Sequence, residues 1–291
     1  MIQISNQHLI VTMTQEGGTL TSIRDAKTGR EYLWQGDPAY WTGQAPNLFP
    51  FVGRLYEKTY TLHGKAYPMT IHGFVRHAQM TVEEEQEASC CFLLTDSPET
   101  LAVYPYRFAF RIRYALEGPV LQVAFQVENR SEEPLYCGMG GHPGFNFPLE
   151  EGLTFEDYEL TFPEACTPRQ VVFSPALQVA PERPAYPLEE GRKLPLRHEL
   201  FDLDAVVLAG APRQVTLSSP KGSHGVTVAY PQMPYVGFWH KPQTDAPYVC
   251  IEPWSILPGR DNLVEELSQM PDMTTVAPGQ TFENRWSITI W

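Results

Sequence analysis

Residues 107–127 read Arg107-Phe108-Ala109-Phe110-Arg111-Ile112-Arg113-Tyr114-Ala115-Leu116-Glu117-Gly118-Pro119-Val120-Leu121-Gln122-Val123-Ala124-Phe125-Gln126-Val127. Phe108, Phe110, Ile112 and Tyr114 alternate with Arg107, Arg111 and Arg113. After a Glu117-Gly118-Pro119 turn, Leu121, Val123, Phe125 and Val127 alternate again. A period of two marks a strand with one face buried, and two such runs around a turn make an antiparallel hairpin. Working outward, similar apolar runs occur at 9–13, 20–23, 91–94, 215–217, 226–230, 235–239, 248–252 and 282–291. Leu62-His63-Gly64-Lys65 reads as a hairpin tip. Helix is scarce, and Asp261 is expected to cap one short helix from Asn262 to Met270. The fold class is therefore all-β: a large antiparallel β-sandwich with few short helices, expected as one domain over 1–291.

Composition agrees. The 291 residues are 43% hydrophobic and 12% aromatic, enough for a packed core, and 27 prolines with 21 glycines suit a chain of many turns. The formal net charge of −13, without a basic run, argues against a nucleic-acid partner, because phosphate binding runs on Lys and Arg. No basic segment followed by an apolar core opens the chain, and no apolar run approaches the roughly 20 residues needed to span a bilayer. Membrane association is thus not expected, and a cytoplasmic location is. The five cysteines, Cys90, Cys91, Cys137, Cys166 and Cys250, have no CxxC spacing, so neither a disulfide framework nor a zinc site is expected, and buried thiols are. No nucleotide or serine-nucleophile motif follows a strand.

Two stretches carry candidate chemistry. Gly138-Met139-Gly140-Gly141-His142-Pro143-Gly144-Phe145-Asn146-Phe147 clusters four glycines around a histidine. Glycine permits close backbone approach or positive φ, and Pro143 holds His142 extended. In Tyr248-Val249-Cys250-Ile251-Glu252-Pro253-Trp254, alternation puts Tyr248, Cys250 and Glu252 on one face. An inward glutamate needs a partner or a purpose. A stiffened histidine and a stiffened glutamate suit an acid–base pair. Taken singly, each stretch also fits a strand-end turn. Other candidates are His72, beside Gly73, and Arg54, in an apolar loop where its guanidinium needs an acceptor. In Phe201-Asp202-Leu203-Asp204, alternation would put Asp202 and Asp204 on one face, and the residues do not choose between them. Trp239 and Trp254 could form an apolar platform, although core packing explains them as well. His72 and His142 lack near-neighbour ligands, so no metal is expected.

Asn47-Leu48-Phe49-Pro50-Phe51-Val52-Gly53-Arg54, His72-Gly73-Phe74, Gly141-His142-Pro143-Gly144-Phe145-Asn146, Asp204 and Cys250-Ile251-Glu252-Pro253-Trp254 occur in this order along nearly the whole chain. The set resembles the aldose 1-epimerase (galactose mutarotase-like) family, and within it the LacX-type branch. The resemblance implies a large β-sandwich and a cofactor-free interconversion of sugar anomers. It implies Glu252 as general base at the C1 hydroxyl and His142 as general acid at the ring oxygen. Arg54, His72 and Asp204 match sugar-holding positions. Two departures from galactose mutarotases, Phe74 for a second glycine and Ala205 for a histidine, leave the sugar open. His72-Gly73-Phe74-Val75-Arg76 is also similar to hexose-6-phosphate 1-epimerases, which makes Arg76 a phosphate candidate. The readings carried forward are an aldose 1-epimerase on a hexose or related sugar, a hexose-6-phosphate 1-epimerase, and a non-catalytic carbohydrate-binding protein. The oligomeric state is left open.

Overall fold

The computed structural model describes residues 1–291. Two large antiparallel sheets build the all-β sandwich. One contains nine strands in the order 193–195, 159–161, 214–218, 225–229, 281–290, 120–129, 108–117, 89–95 and 81–86. The expected hairpin is at its centre: Phe108–Glu117 pairs with Val120–Asn129, and Tyr114 faces Val123. Along Val120–Asn129 every second residue is buried, so one face belongs to the core. On the other face Arg111 pairs with Glu83 at 2.7 Å and Glu128 at 3.2 Å, and Arg113 pairs with Glu84 at 2.7 Å. These pairs tie the outer edge strand, Thr81–Gln86, to its neighbours and leave that edge charged.

The second sheet runs 169–171, 206–209, 235–239, 248–254, 140–141 and 47–48, with 144–146 also paired to 248–254. Its central strand, Tyr248–Trp254, is buried along its whole length. Phe110, Phe125 and Trp286 from the first sheet and Phe238, Val249 and Ile251 from the second share one apolar core. A three-stranded sheet, 2–5, 9–13 and 20–25, flanks the pair. The hairpin tip at 62–65 joins strands Thr59–Leu62 and Lys65–Pro68.

Three expectations change. Asn262–Met270 forms no α-helix: only Leu267–Gln269 makes a turn of 3-10 helix. Asn262 has φ +56, and the buried Glu265 side chain is drawn to Arg260 at 2.7 Å, so tertiary pairing overrides the capping pattern. Asp202 and Asp204 do not share a strand face. The chain turns there, with φ +96 at Asp204, and the strand begins only at Val206. All five cysteines are free thiols, and Cys166 is only partly buried.

Candidate active site

The pairing register brings the two sequence stretches together. Gly140 lies opposite Trp254 and Gly144 opposite Cys250. The same register between them sets His142 opposite Glu252. On its other side, the histidine segment is fixed by His142 N–H to the Pro46 carbonyl at 3.1 Å and Gly144 N–H to the Gln44 carbonyl at 2.8 Å. None of Gly138, Gly140, Gly141 and Gly144 has positive φ. They are glycines because side chains crowd them: a Cβ on Gly138 would lie 2.2 Å from Ile256, and one on Gly141 2.5 Å from Trp286. The close approach is to the protein's own core.

His142 Nε2 and Glu252 Oε2 are 3.2 Å apart. Both face a cleft of about 750 Å³, whose walls include all seven expected residues: Arg54, His72, Arg76, His142, Asp204, Glu252 and Trp254. Trp239 is a wall as well, whereas Asp202 is not. Glu252 is 1% exposed, and its Oε2 has no aligned hydrogen-bond donor. Trp254 Nε1 lies close enough to lower the proton affinity of that carboxylate, yet it also lacks hydrogen-bond geometry.

Burial holds the Glu252 carboxyl well above the usual carboxylate range, and nearby Asp204 adds to the rise. Burial also pulls His142 down to about 3, with the Arg76 charge acting in the same direction. Reference values alone leave the glutamate ionised and the histidine titrating just below neutrality. Burial shifts both groups toward their neutral forms, because each charge is penalised by desolvation.

The supporting residues are fixed by backbone. His72 has φ +64, and its Nδ1 accepts the Gly53 N–H at 3.1 Å. That acceptor role puts the ring proton on Nε2. Gly73 is obligatory, since a Cβ there would lie 2.1 Å from the Phe49 carbonyl oxygen. Phe74 turns away from the cleft and packs edge-on against Phe49 at 6.0 Å. Asp204 accepts the Ala205 N–H at 2.9 Å. Burial raises its carboxyl, against the pull of the Ala205 N–H and Arg54. Neither Arg54 nor Arg76 makes an ion pair, unlike Arg111, Arg113, Arg130 and Arg285. Arg76 instead donates from Nε to His77 at 2.9 Å.

Some walls were not expected from sequence. Trp41 leans over the His142 ring at 5.1 Å and 31°, and the expected Trp239 meets that ring edge-on at 5.7 Å. The only sequence signal for Trp41 was an aromatic in a proline- and glycine-rich loop. Thr14, Glu16, Thr19 and Thr21 of the amino-terminal sheet and Gln44 complete a polar wall. Cys250, set on the face of Glu252 by alternation but given no role there, has its Sγ within 4.8 Å of the facing His142 and Glu252 atoms.

The family model described as aldose 1-epimerase matches residues 1–289. The chain belongs to the aldose 1-epimerase family. Protein LacX, encoded on a plasmid of Lactococcus lactis subsp. lactis, is 37% identical over 302 aligned positions, covering 99% of each chain. A galactose mutarotase related enzyme from Lactobacillus acidophilus has a structure with a TM-score of 0.95 at 34% identity, over 99% of this chain and 96% of that one. A galactose mutarotase-like protein from Lactobacillus casei superposes with a TM-score of 0.94 at 28% identity, over 100% of both chains. Membership of the aldose 1-epimerase family and the mutarotase-like fold support a sugar epimerase or mutarotase role. No helix is long and apolar enough to cross a membrane.

Proposed function

We propose that this chain is a cofactor-independent aldose 1-epimerase acting on a hexose or related sugar, with Glu252 and His142 as its acid–base pair. The observation that carries the reading is their 3.2 Å separation beside an open cleft. Two groups so placed can each face one of the two oxygens on a cyclic hemiacetal carbon.

The step balances within the pair. Glu252 takes the proton of the C1 hydroxyl while His142 gives one to the ring oxygen. The C1–O5 bond breaks, and C1 becomes a carbonyl. After rotation about C1–C2, the C5 hydroxyl attacks the other carbonyl face. His142 then takes that hydroxyl's proton, and Glu252 returns its own to O1. The pair starts and ends with one proton, so ring opening carries it from the ionised arrangement to the neutral one. The neutral arrangement is the one burial favours. Donors at the sugar, from His72 Nε2–H and the Trp254 indole, favour the ionised arrangement that opens the ring. Arg54, Asp204 and Trp239 are the proposed holders of the sugar hydroxyls and apolar face.

The test is polarimetry of freshly dissolved α-D-glucose and α-D-galactose. The protein is expected to accelerate the decay, and His142→Asn to reduce that acceleration by about 10²–10⁴-fold with the fold intact. A wild-type chain with no acceleration on either sugar or on a sugar phosphate would leave the carbohydrate-binding reading. Full activity in the variant would remove His142 from the mechanism.

One observation favours a sugar phosphate as substrate: Arg76, half-buried at the cleft, has no carboxylate partner in a chain of net charge −13. Exchange between anomers of glucose 6-phosphate can be followed by NMR. On this reading Arg76→Ala raises KM for the phosphate far more than for free glucose, and equal effects on both would exclude a phosphate role.

A further inference from the structure

The strand that carries Glu252 also carries Cys250, two residues earlier and on the same face. Across the ladder stands His142, and Gly144, opposite Cys250, offers no side chain to separate thiol from imidazole. A Cβ on Gly144 would sit 3.4 Å from the Cys250 Sγ. One nitrogen, one sulfur and one carboxylate oxygen therefore lie within 4.8 Å of one another. We propose that His142, Cys250 and Glu252 form a three-ligand site for a thiophilic divalent cation, Zn²⁺, which shuts the cleft chemistry off when bound.

The donor set suits that ion. Zinc takes nitrogen, sulfur and oxygen donors in a tetrahedron, with bonds of about 2.0–2.3 Å and hence donor–donor edges of roughly 3.2–3.8 Å. The His142–Glu252 edge is already 3.2 Å. Bringing the sulfur in requires a shift of about an ångström. Hard cations such as Mg²⁺ disfavour a thiolate. A second, independent observation points to a ligand: Glu252 is 1% exposed, yet its Oε2 faces His142 with no donor to satisfy it. His142 and Glu252 line the cleft, through which the ion would enter.

Charge also balances. On binding, the Cys250 thiol and the Glu252 carboxyl each release a proton to solvent, and neutral His142 lends its Nε2 lone pair. A dication between a thiolate and a carboxylate is net neutral, so burial does not oppose the loaded site as it opposes either anion alone. His142 Nδ1 has no partner, and such a missing second-shell contact weakens zinc binding. The site is thus suited to reversible inhibition, not to a resident metal. The inhibition, though not the binding, rests on the acid–base reading above, because it ties up the lone pairs that move protons there.

The test uses chelator-washed full-length protein titrated with Co²⁺ as a spectroscopic stand-in, then with Zn²⁺. One equivalent of Co²⁺ is expected to give thiolate-to-cobalt charge transfer in the near ultraviolet and the intense visible bands of a tetrahedral site. Zn²⁺ should bleach them. Cys250→Ser and Cys250→Ala, checked for folding by circular dichroism, should lose the charge-transfer band and weaken Zn²⁺ binding more than about tenfold. Both should keep metal-free mutarotation. Zn²⁺ should inhibit the wild type, with sugar competing and chelator restoring the rate. No charge-transfer band in the wild type, or unchanged Zn²⁺ affinity in both folded variants, would overturn the site. The cobalt titration needs no turnover, so it decides the site even if the chain proves inactive on every sugar tried.

Discussion

Glu252→Gln separates the chemistry of the cleft from its stability. Gln keeps the shape of the protonated carboxyl and can donate a hydrogen bond across the 3.2 Å gap to His142, but it cannot take a proton from a hydroxyl. Losing a positioned base costs about 10²–10⁴-fold in rate, which is about 3–5.5 kcal/mol of transition-state stabilisation. The effect on stability has the opposite sign. A buried polar atom left unsatisfied costs about 1–3 kcal/mol, and Glu252 Oε2 is such an atom. The Glu252 pKa is raised in the folded chain, so the unfolded chain releases its proton first. Wild-type stability therefore falls as pH rises above the ordinary value of 4.5 and levels off beyond the folded value. Gln has no proton to lose, so its advantage should grow over that interval. At roughly 2–4 °C per kcal/mol for a large domain, the variant should melt several degrees higher at mildly alkaline pH. Near pH 4.5 the two melting points should converge. Calorimetry at the two pH values, with polarimetry on the same samples, reads both effects. A variant that keeps its rate, or one that is less stable than wild type at alkaline pH, would refute the argument.

Three further outcomes can be tested. The pair holds one proton between the depressed value of His142, about 3, and the raised value of Glu252, so kcat/KM should stay flat across that span and fall at its alkaline end. Trp41→Ala admits water to the imidazole and should move the acid limb up toward 6.5, visible in the pH–rate profile; an unmoved limb would show that Trp41 does not shield His142. Gly141→Ala should cost about 1–3 kcal/mol by overpacking, since its Cβ would fall 2.5 Å from the buried Trp286 ring; an unchanged melting temperature would show that Trp286 can yield.

Half-buried strands were the legible part of the fold. The hairpin at 108–129 alternates because one face meets core and the other meets water. Thr81–Gln86 carried no such signal, being exposed along most of an edge. Strands of two residues, 47–48 and 140–141, are too short to show a period. The helix Pro98–Val103 was missed, although Ser97 and Thr100 cap it reciprocally in a four-residue pattern across its start.

In the site, Glu252 was legible from alternation and His142 from its glycine and proline flanks. Their meeting was expected only from the acid–base reading and the family resemblance, because strand register is settled by partners over 100 residues apart in the chain. The protonation order was hidden for the same reason, since it depends on burial contributed by both sheets. Asp204 is at the cleft through a turn with φ +96 and not through the strand period assumed for it.

Imidazole and carboxylate occupy facing rungs of one ladder, so their spacing is inherited from main-chain geometry that every antiparallel pair shares. Inserting or deleting a single residue between Gly140 and Gly144, or between Cys250 and Trp254, would send one of the two to the far side of the sheet. Descendants of this gene can therefore drift by point substitution around the cavity, but a change of length within either span would end its chemistry at a stroke.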